Sequence, residues 1–288
     1  MSRLALSLTT IIVSVTVSVG AADATTHGVK NPRLASVHTF ALALGDRAQH
    51  PDRLDELAQY DLVVLDGEAA PPSLIAGLHD EGTLVLGYLS VGTIERGRSW
   101  TPAAKPFRLD HWDDWDEWFA DTAQPAFRSL IVDDVAPAIL DRGFDGLFLD
   151  NVDMISDHRR QRAGMDTLVH SLADLTHDQG ALLFAQNGEE VIDPMLDALD
   201  GWNREDVTGT YDFDSHRYVG QPAREVRAAQ RALRRIAALG LFVTATDYFA
   251  HGDDASATSA TKNACAAGAV SYVSNIRLNR IPEEPPRC

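Results

Sequence analysis

Phe144-Asp145-Gly146-Leu147-Phe148-Leu149-Asp150-Asn151-Val152-Asp153 is a short apolar run that ends in a carboxylate, an amide and a second carboxylate. A strand buried on both faces cannot hold an unpaired ionised group in its interior, so this cluster belongs where the strand emerges into a cleft. In parallel α/β proteins that end of the strand is where chemistry is built.

Outward from this stretch the chain alternates apolar strands with amphipathic helices. The pattern predicts strands over residues 36–44, 61–65, 83–89, 146–150, 181–185, 201–205, 241–246 and 269–274, and helices over 52–59, 72–81, 127–142, 166–179, 191–199, 221–239 and 255–267. Near-continuous apolar strands joined by crossover helices imply a parallel sheet. Eight such units fit an α/β fold of the closed (β/α)₈ (TIM) barrel type, one domain over residues 25–288, with a long Trp-rich loop after strand 3. The rival is an open doubly wound sheet, but no Gly-rich phosphate fingerprint follows the first strand.

A barrel gathers its strand ends on one face, and here they carry acids and amides. Asp66 ends strand 2, Tyr88 and Ser90 lead into Glu95, Asp150 and Asp153 end strand 4, and Asn187 follows strand 5. Glu205 and Asp206 end strand 6, and Asp247 and Tyr248 end strand 7. A single Asp or Asn there would read as a helix cap. Six consecutive strand ends of this kind crowd like charges together, which costs stability unless the site serves a purpose.

Such a cluster, without cysteine ligands or a His-x-His or His-Glu-x-x-His pattern, points to cleavage of glycosidic bonds. That reaction needs one carboxyl held protonated for the leaving oxygen and one ionised to attack or to activate water. Repulsion between close carboxylates separates their pKa values and so assigns the roles. Asp150 and Glu205 are the candidate pair. In the loop after strand 3, Trp100, Phe107, Trp112, Trp115 and Trp118 stand among Asp110, Asp113, Asp114, Asp116 and Glu117. Aromatic faces stack on sugar rings, and together with carboxylates they attract a ring bearing an ammonium. A loop of about thirty residues is long for a compact domain and usually functional.

Composition narrows the partners. The 288 residues are 45% hydrophobic and carry a formal net charge of −17, which repels nucleic acid and anionic membrane surfaces and favours a neutral or cationic partner. Arg3, the apolar stretch 4–19 and the small residues Ala22-Asp23-Ala24 read as a signal peptide over residues 1–24, hence an exported protein without a stable membrane anchor, expected to be a monomer. Cys265 and Cys288 can pair in an oxidising compartment, or stay free.

Gly87-Tyr88-Leu89-Ser90-Val91-Gly92 with Glu95 and Arg98-Ser99-Trp100, then residues 143–153, resemble glycoside hydrolase family 114. So do Gln186-Asn187-Gly188, residues 200–206 and Thr246-Asp247-Tyr248. The resemblance runs from about residue 35 to residue 280. It implies a (β/α)₈ barrel, an exported enzyme and hydrolysis of α-1,4-linked galactosamine, partly N-acetylated, without a cofactor or metal. By the same resemblance Asp150 would be the nucleophile and Glu205 the acid/base, while Asp66, Tyr88, Glu95, Trp100, Asp153, Asn187, Asp247 and Tyr248 would line the substrate subsite. One departure stands out: the acid after the strand-3 serine is displaced by two positions, as Gly92-Thr93-Ile94-Glu95. Retention of configuration is expected, which calls for carboxyl groups about 5–5.5 Å apart. Two other readings stay open: a barrel that binds amino sugars without cutting them, and a metal-dependent hydrolase using Asp150, Asp153 and His158.

Overall fold

A computed structural model describes residues 29–288; the segment read as a signal peptide lies outside the described residues. Eight strands form one parallel sheet in sequence order. They are β1 (Phe40–Leu42), β2 (Leu62–Asp66), β3 (Leu84–Ser90), β4 (Gly146–Asp150), β5 (Leu182–Gln186), β6 (Gly201–Glu205), β7 (Phe242–Tyr248) and β8 (Val270–Ser274). Side chains and one backbone bond close the seam between β1 and β8: Phe40 and Tyr60 both meet Tyr272 edge-on, ring centres 6.1 Å apart, and Gly45 N donates to Leu278 O at 3.0 Å. The fold is a single (β/α)₈ barrel.

The interior explains the strand composition. Phe148 stacks on Phe184 and Phe184 meets Phe242 at a tilt, with ring centres 6.4 and 6.2 Å apart. Gly201 opens β6 because a Cβ there would lie 2.2 Å from the Phe184 ring. Helices Pro72–Asp80, Arg162–Asp178 and Ala223–Ala237 cover the outside, each burying an apolar stripe such as Met165, Leu168, Val169 and Leu172. The helix expected over 191–199 is instead a loop with one 3₁₀ turn, Asp193–Met195. Pro194 fits the first turn, where no N–H is needed, but the segment then packs Ile192, Met195, Leu196 and Leu199 without a second turn. β1 is shorter than expected because His38 N and Thr39 N are taken at 2.8 and 2.9 Å by the Asp61 carboxylate, which leaves the Thr39 carbonyl, accepting Leu62 N at 3.1 Å, as the link to β2 there.

That carboxylate belongs to a repeated device on the barrel face opposite the strand ends. Asp145 takes Val85 N at 2.9 Å, and Asp200 takes Leu183 N at 2.9 Å, each from the residue just before an even-numbered strand. His79 and Arg33 complete the Asp145 cluster, and His177 and Asn31 the Asp200 cluster.

Two excursions leave the upper face. After β3 a three-stranded antiparallel sheet forms from Thr93–Ile94, Arg108–Trp112 and Glu117–Ala120; after β6 a hairpin forms from Gly209–Asp212 and Arg217–Gly220. The Trp-rich segment is therefore sheet rather than open loop. Cys265 and Cys288 are joined in a disulfide across 23 positions of sequence. Cys288→Ser is expected to lower the unfolding free energy by about 2–4 kcal/mol, read as a lower urea midpoint. Among the described residues no helix is long and apolar enough to cross a membrane.

Candidate active site

Three consecutive strands end in the same local geometry. Asn151 after β4, Asn187 after β5 and Asp206 after β6 all adopt left-handed backbone, with φ of 59°, 59° and 55°. Asn and Asp tolerate that conformation, which turns the chain sharply and leaves the preceding side chain facing the barrel axis. Gly92 makes room beside this turn, since a Cβ there would lie 1.8 Å from Asn151 O.

The strand ends enclose a cleft of about 420 Å³ lined by Asp66, Tyr88, Glu95, Asp150, Asp153, Asn187, Glu205 and Tyr248. These are all the sequence-predicted site residues except two. Trp100 is buried and lines a neighbouring groove with Glu68, Asp134 and Arg142, so the structure places it away from this cleft. Asp247 is fully buried below it, where one carboxylate oxygen accepts Thr208 N and Gly209 N at 2.5 and 2.8 Å and anchors the start of the hairpin.

Asp150 is surrounded by donors. Tyr88 Oη donates to Oδ2 at 2.6 Å, while Gln186 Nε2 and Asn151 N donate to Oδ1 at 2.9 and 2.7 Å. Burial raises its pKa and these three bonds oppose that rise. Glu205 receives Tyr248 Oη on one oxygen and Asn187 Nδ2, at 2.9 Å, on the other. Burial and then the charge of Asp150 push the Glu205 pKa up to about 8. The two carboxyls thus sit in one cleft with raised pKa values and different surroundings, Asp150 among three opposing hydrogen bonds and Glu205 beside the charge of Asp150, an asymmetry that can divide the roles of acid and nucleophile.

The rest of the cleft is also acidic. Arg98 holds Asp66 through Nη1 at 2.7 Å and Glu95 through Nε and Nη2 at 2.6 and 2.8 Å, so the displaced Glu95 reaches the cleft as one arm of a clamp. Burial raises Asp153 to about 7, with Asp150 adding to it, and Glu117 to about 7, with Glu95 adding to it. Glu117 accepts Thr93 Oγ1 at 2.6 Å. His158 pairs with Asp110 at 2.8 Å and leans on Phe119, ring centres 4.4 Å apart.

Sequence reading missed part of the wall. Trp115 meets Phe213 across the two excursions with ring centres 5.3 Å apart, Trp112 and Tyr211 continue the aromatic row on either side, and all four line the cleft. The signal for the far side, Tyr211-Asp212-Phe213, was too short to separate from a connection.

These pKa directions fix how stability responds to pH. Asp153, Glu117, Glu205 and Asp247, the last raised by burial to about 7, bind protons in the folded state that they release in the unfolded chain between about pH 4 and their folded values. Stability is therefore expected to fall as pH rises through that window. Asp110 and Asp116, lowered by bonds from His158 and Arg96, act the other way but lie on the surface, where solvent screens them. Thermal unfolding should show a higher midpoint at pH 5 than at pH 8; the reverse order would contradict this account.

A barrel whose mouth holds two such carboxyls beside an aromatic wall is built as a glycoside hydrolase. The chain belongs to glycoside-hydrolase family GH114, whose sequence profile matches residues 20–283. Comparison with curated proteins returned no significant match. The glycoside hydrolase domain of PelA from Pseudomonas aeruginosa is similar in structure, with a TM-score of 0.73 at 23% identity over 84% of this chain and 96% of that one. Ega3 of Aspergillus fumigatus, solved in complex with galactosamine, is similar with a TM-score of 0.66 at 20% identity over 87% and 95%. The alpha-galactosidase TtGalA from Thermus thermophilus shares the fold more distantly, with a TM-score of 0.55 at 13% identity over 79% and 56%.

Proposed function

We propose that this enzyme is exported and hydrolyses α-1,4 linkages in polymers of galactosamine and N-acetylgalactosamine, with Asp150 as nucleophile and Glu205 as acid/base. Glu205 donates its proton to the leaving oxygen while Asp150 attacks the anomeric carbon, forming a glycosyl ester on Asp150. Glu205, now ionised, takes a proton from water, which displaces Asp150 and releases a sugar of retained configuration. The observation that carries this reading is the unequal surroundings of the two carboxyls: three donors hold Asp150, while the charge of Asp150 helps keep Glu205 protonated.

The substrate class rests on charge. Seven carboxyl side chains, Asp66, Glu95, Glu117, Asp150, Asp153, Glu205 and Asp206, line the cleft against two arginines, Arg98, engaged by Asp66 and Glu95, and Arg277; Arg204, beside Asp153, is paired with Glu189. A cationic sugar ring relieves that surplus, and an overall charge of −17 would concentrate a cationic polymer at the mouth. The galactosamine bound to the structurally similar Ega3 agrees with this choice. The test is incubation of the purified protein with a panel of amino-sugar and neutral polysaccharides. New reducing ends from the galactosamine polymer support the proposal, and the anomer released first, read by NMR, reports the stereochemistry. Cleavage of neutral polymers alone overturns the substrate assignment.

A further inference from the structure

Four polar side chains stand where a barrel core would ordinarily be apolar. Gln186, Asn203, Thr244 and Thr246 are at most 4% exposed. Gln186 is in register with Asn203, and Asn203 with Thr244, so they form one row across β5, β6 and β7. That row ends on the carboxylate of Asp150.

The row has a direction. An ionised carboxylate only accepts, so Gln186 must turn its amide nitrogen to Asp150, which it does at 2.9 Å. Its carbonyl then needs a donor, supplied by Asn203 Nδ2 at 2.8 Å. The Asn203 carbonyl in turn accepts Thr244 Oγ1 at 2.7 Å and Thr246 Oγ1 at 3.2 Å. Reversing any member would set two acceptors face to face. An apolar row would fill the same space without this demand for complete pairing, so what the polar row adds is orientation.

We propose that Gln186 and Asn203, backed by Thr244 and Thr246, are positioning residues that hold Asp150 in its ionised form with one oxygen fixed and the other, which accepts Tyr88 Oη at 2.6 Å and Asn151 Nδ2 at 3.3 Å, turned to the substrate. The proposal rests on Asp150 being the nucleophile. The carboxyl groups around Asp150 work against that form: Glu95 and Glu117 from the excursion after β3, Asp153 after β4 and Glu205 on β6; the phenols Tyr88 on β3 and Tyr248 on β7 are held neutral by burial, and Tyr88 donates to Asp150. Arg98 is engaged by Asp66 and Glu95. Neutral donors aimed at Asp150 are therefore what opposes its protonation, and the relay fixes one of them.

The test replaces both hydroxyls isosterically, Thr244→Val with Thr246→Val, against the control Thr244→Ser with Thr246→Ser. With the Asn203 carbonyl left without donors, the acidic limb of the kcat/KM profile on an α-1,4-galactosamine oligomer should move up by about one pH unit, a loss of about tenfold below the limb. KM on the plateau should stay within about twofold, because no group that meets the sugar has changed. The serine pair should follow the parent. Should the valine pair not fold, Thr244→Val alone removes the shorter of the two bonds, that at 2.7 Å, and is compared with Thr244→Ser for a smaller shift in the same direction. A carboxyl-carbon NMR titration of Asp150 reads the shift without any substrate, so failure of the relay and failure of the substrate assignment remain separate results. An unmoved Asp150 titration in the valine variant overturns the proposal.

Discussion

Asp150→Asn is expected to reduce kcat by at least about 10³-fold while polymer binding persists. The amide keeps the shape of the carboxylate: its oxygen at the Oδ1 position still accepts Gln186 Nε2 and Asn151 N, and its nitrogen donates to the Tyr88 hydroxyl, which turns to accept it, so the cleft is not rebuilt. What disappears is the charge that attacks the anomeric carbon. Calorimetry with the galactosamine polymer should therefore return a dissociation constant close to that of the parent, while reducing-end release is nearly abolished. A variant that keeps more than about a tenth of the parent turnover would remove Asp150 from the role of nucleophile. Saturable binding by a parent protein that turns over no polymer would favour the reading of the barrel as a sugar-binding protein.

Glu205→Gln should lower kcat on polymer by about 10²–10⁴-fold, with a signature that separates it from the first variant. In the parent, Glu205 must be protonated for the first step, and its pKa is pushed up to about 8, so kcat/KM should decline as pH rises through that value. The glutamine variant should lack this basic limb. It should also recover much of its rate on an aryl glycoside whose phenolate leaves without a proton, and azide should speed release of the glycosyl ester because it attacks without a base. If the basic limb persists in Glu205→Gln, another group on the cleft wall supplies the proton, and Asp153 or Glu117, both near 7, would be the next to test.

The barrel and the two central carboxyls were legible because β4 and β6 each run straight from buried residues into an acid, and the observed strands match the expected limits at Gly146–Asp150 and Gly201–Glu205. Where tertiary contacts override local pattern, the sequence misleads. Residues 36–39 look like strand, yet their amide groups at His38 and Thr39 serve the Asp61 carboxylate. Trp100 and Trp115 are the same residue type in the same segment, but one is buried beside Ala104 in the core and the other is 41% exposed at the cleft, a difference that only packing decides. Asp247 resembles Asp150 as an acid at a strand end; two backbone amide groups of the hairpin make it an anchor. Glu95 reaches the cleft despite its displacement because Thr93 and Ile94 pair with the strand Glu117–Ala120, which redirects the chain before Arg98 takes hold of it.

The three aspartates on the opposite face, Asp61, Asp145 and Asp200, grip peptide groups of the neighbouring strand, namely those of Thr39, Val85 and Leu183. A peptide N–H is offered by every residue but proline, so these anchors place little restriction on which side chains occupy the strands they tie. The lower rim should accordingly act as a permanent foundation for grafting: exchanging the Trp-rich sheet or the β6 hairpin for segments of another specificity would leave the register of the staves unchanged, and new substrate preferences could be built on this scaffold one rim at a time.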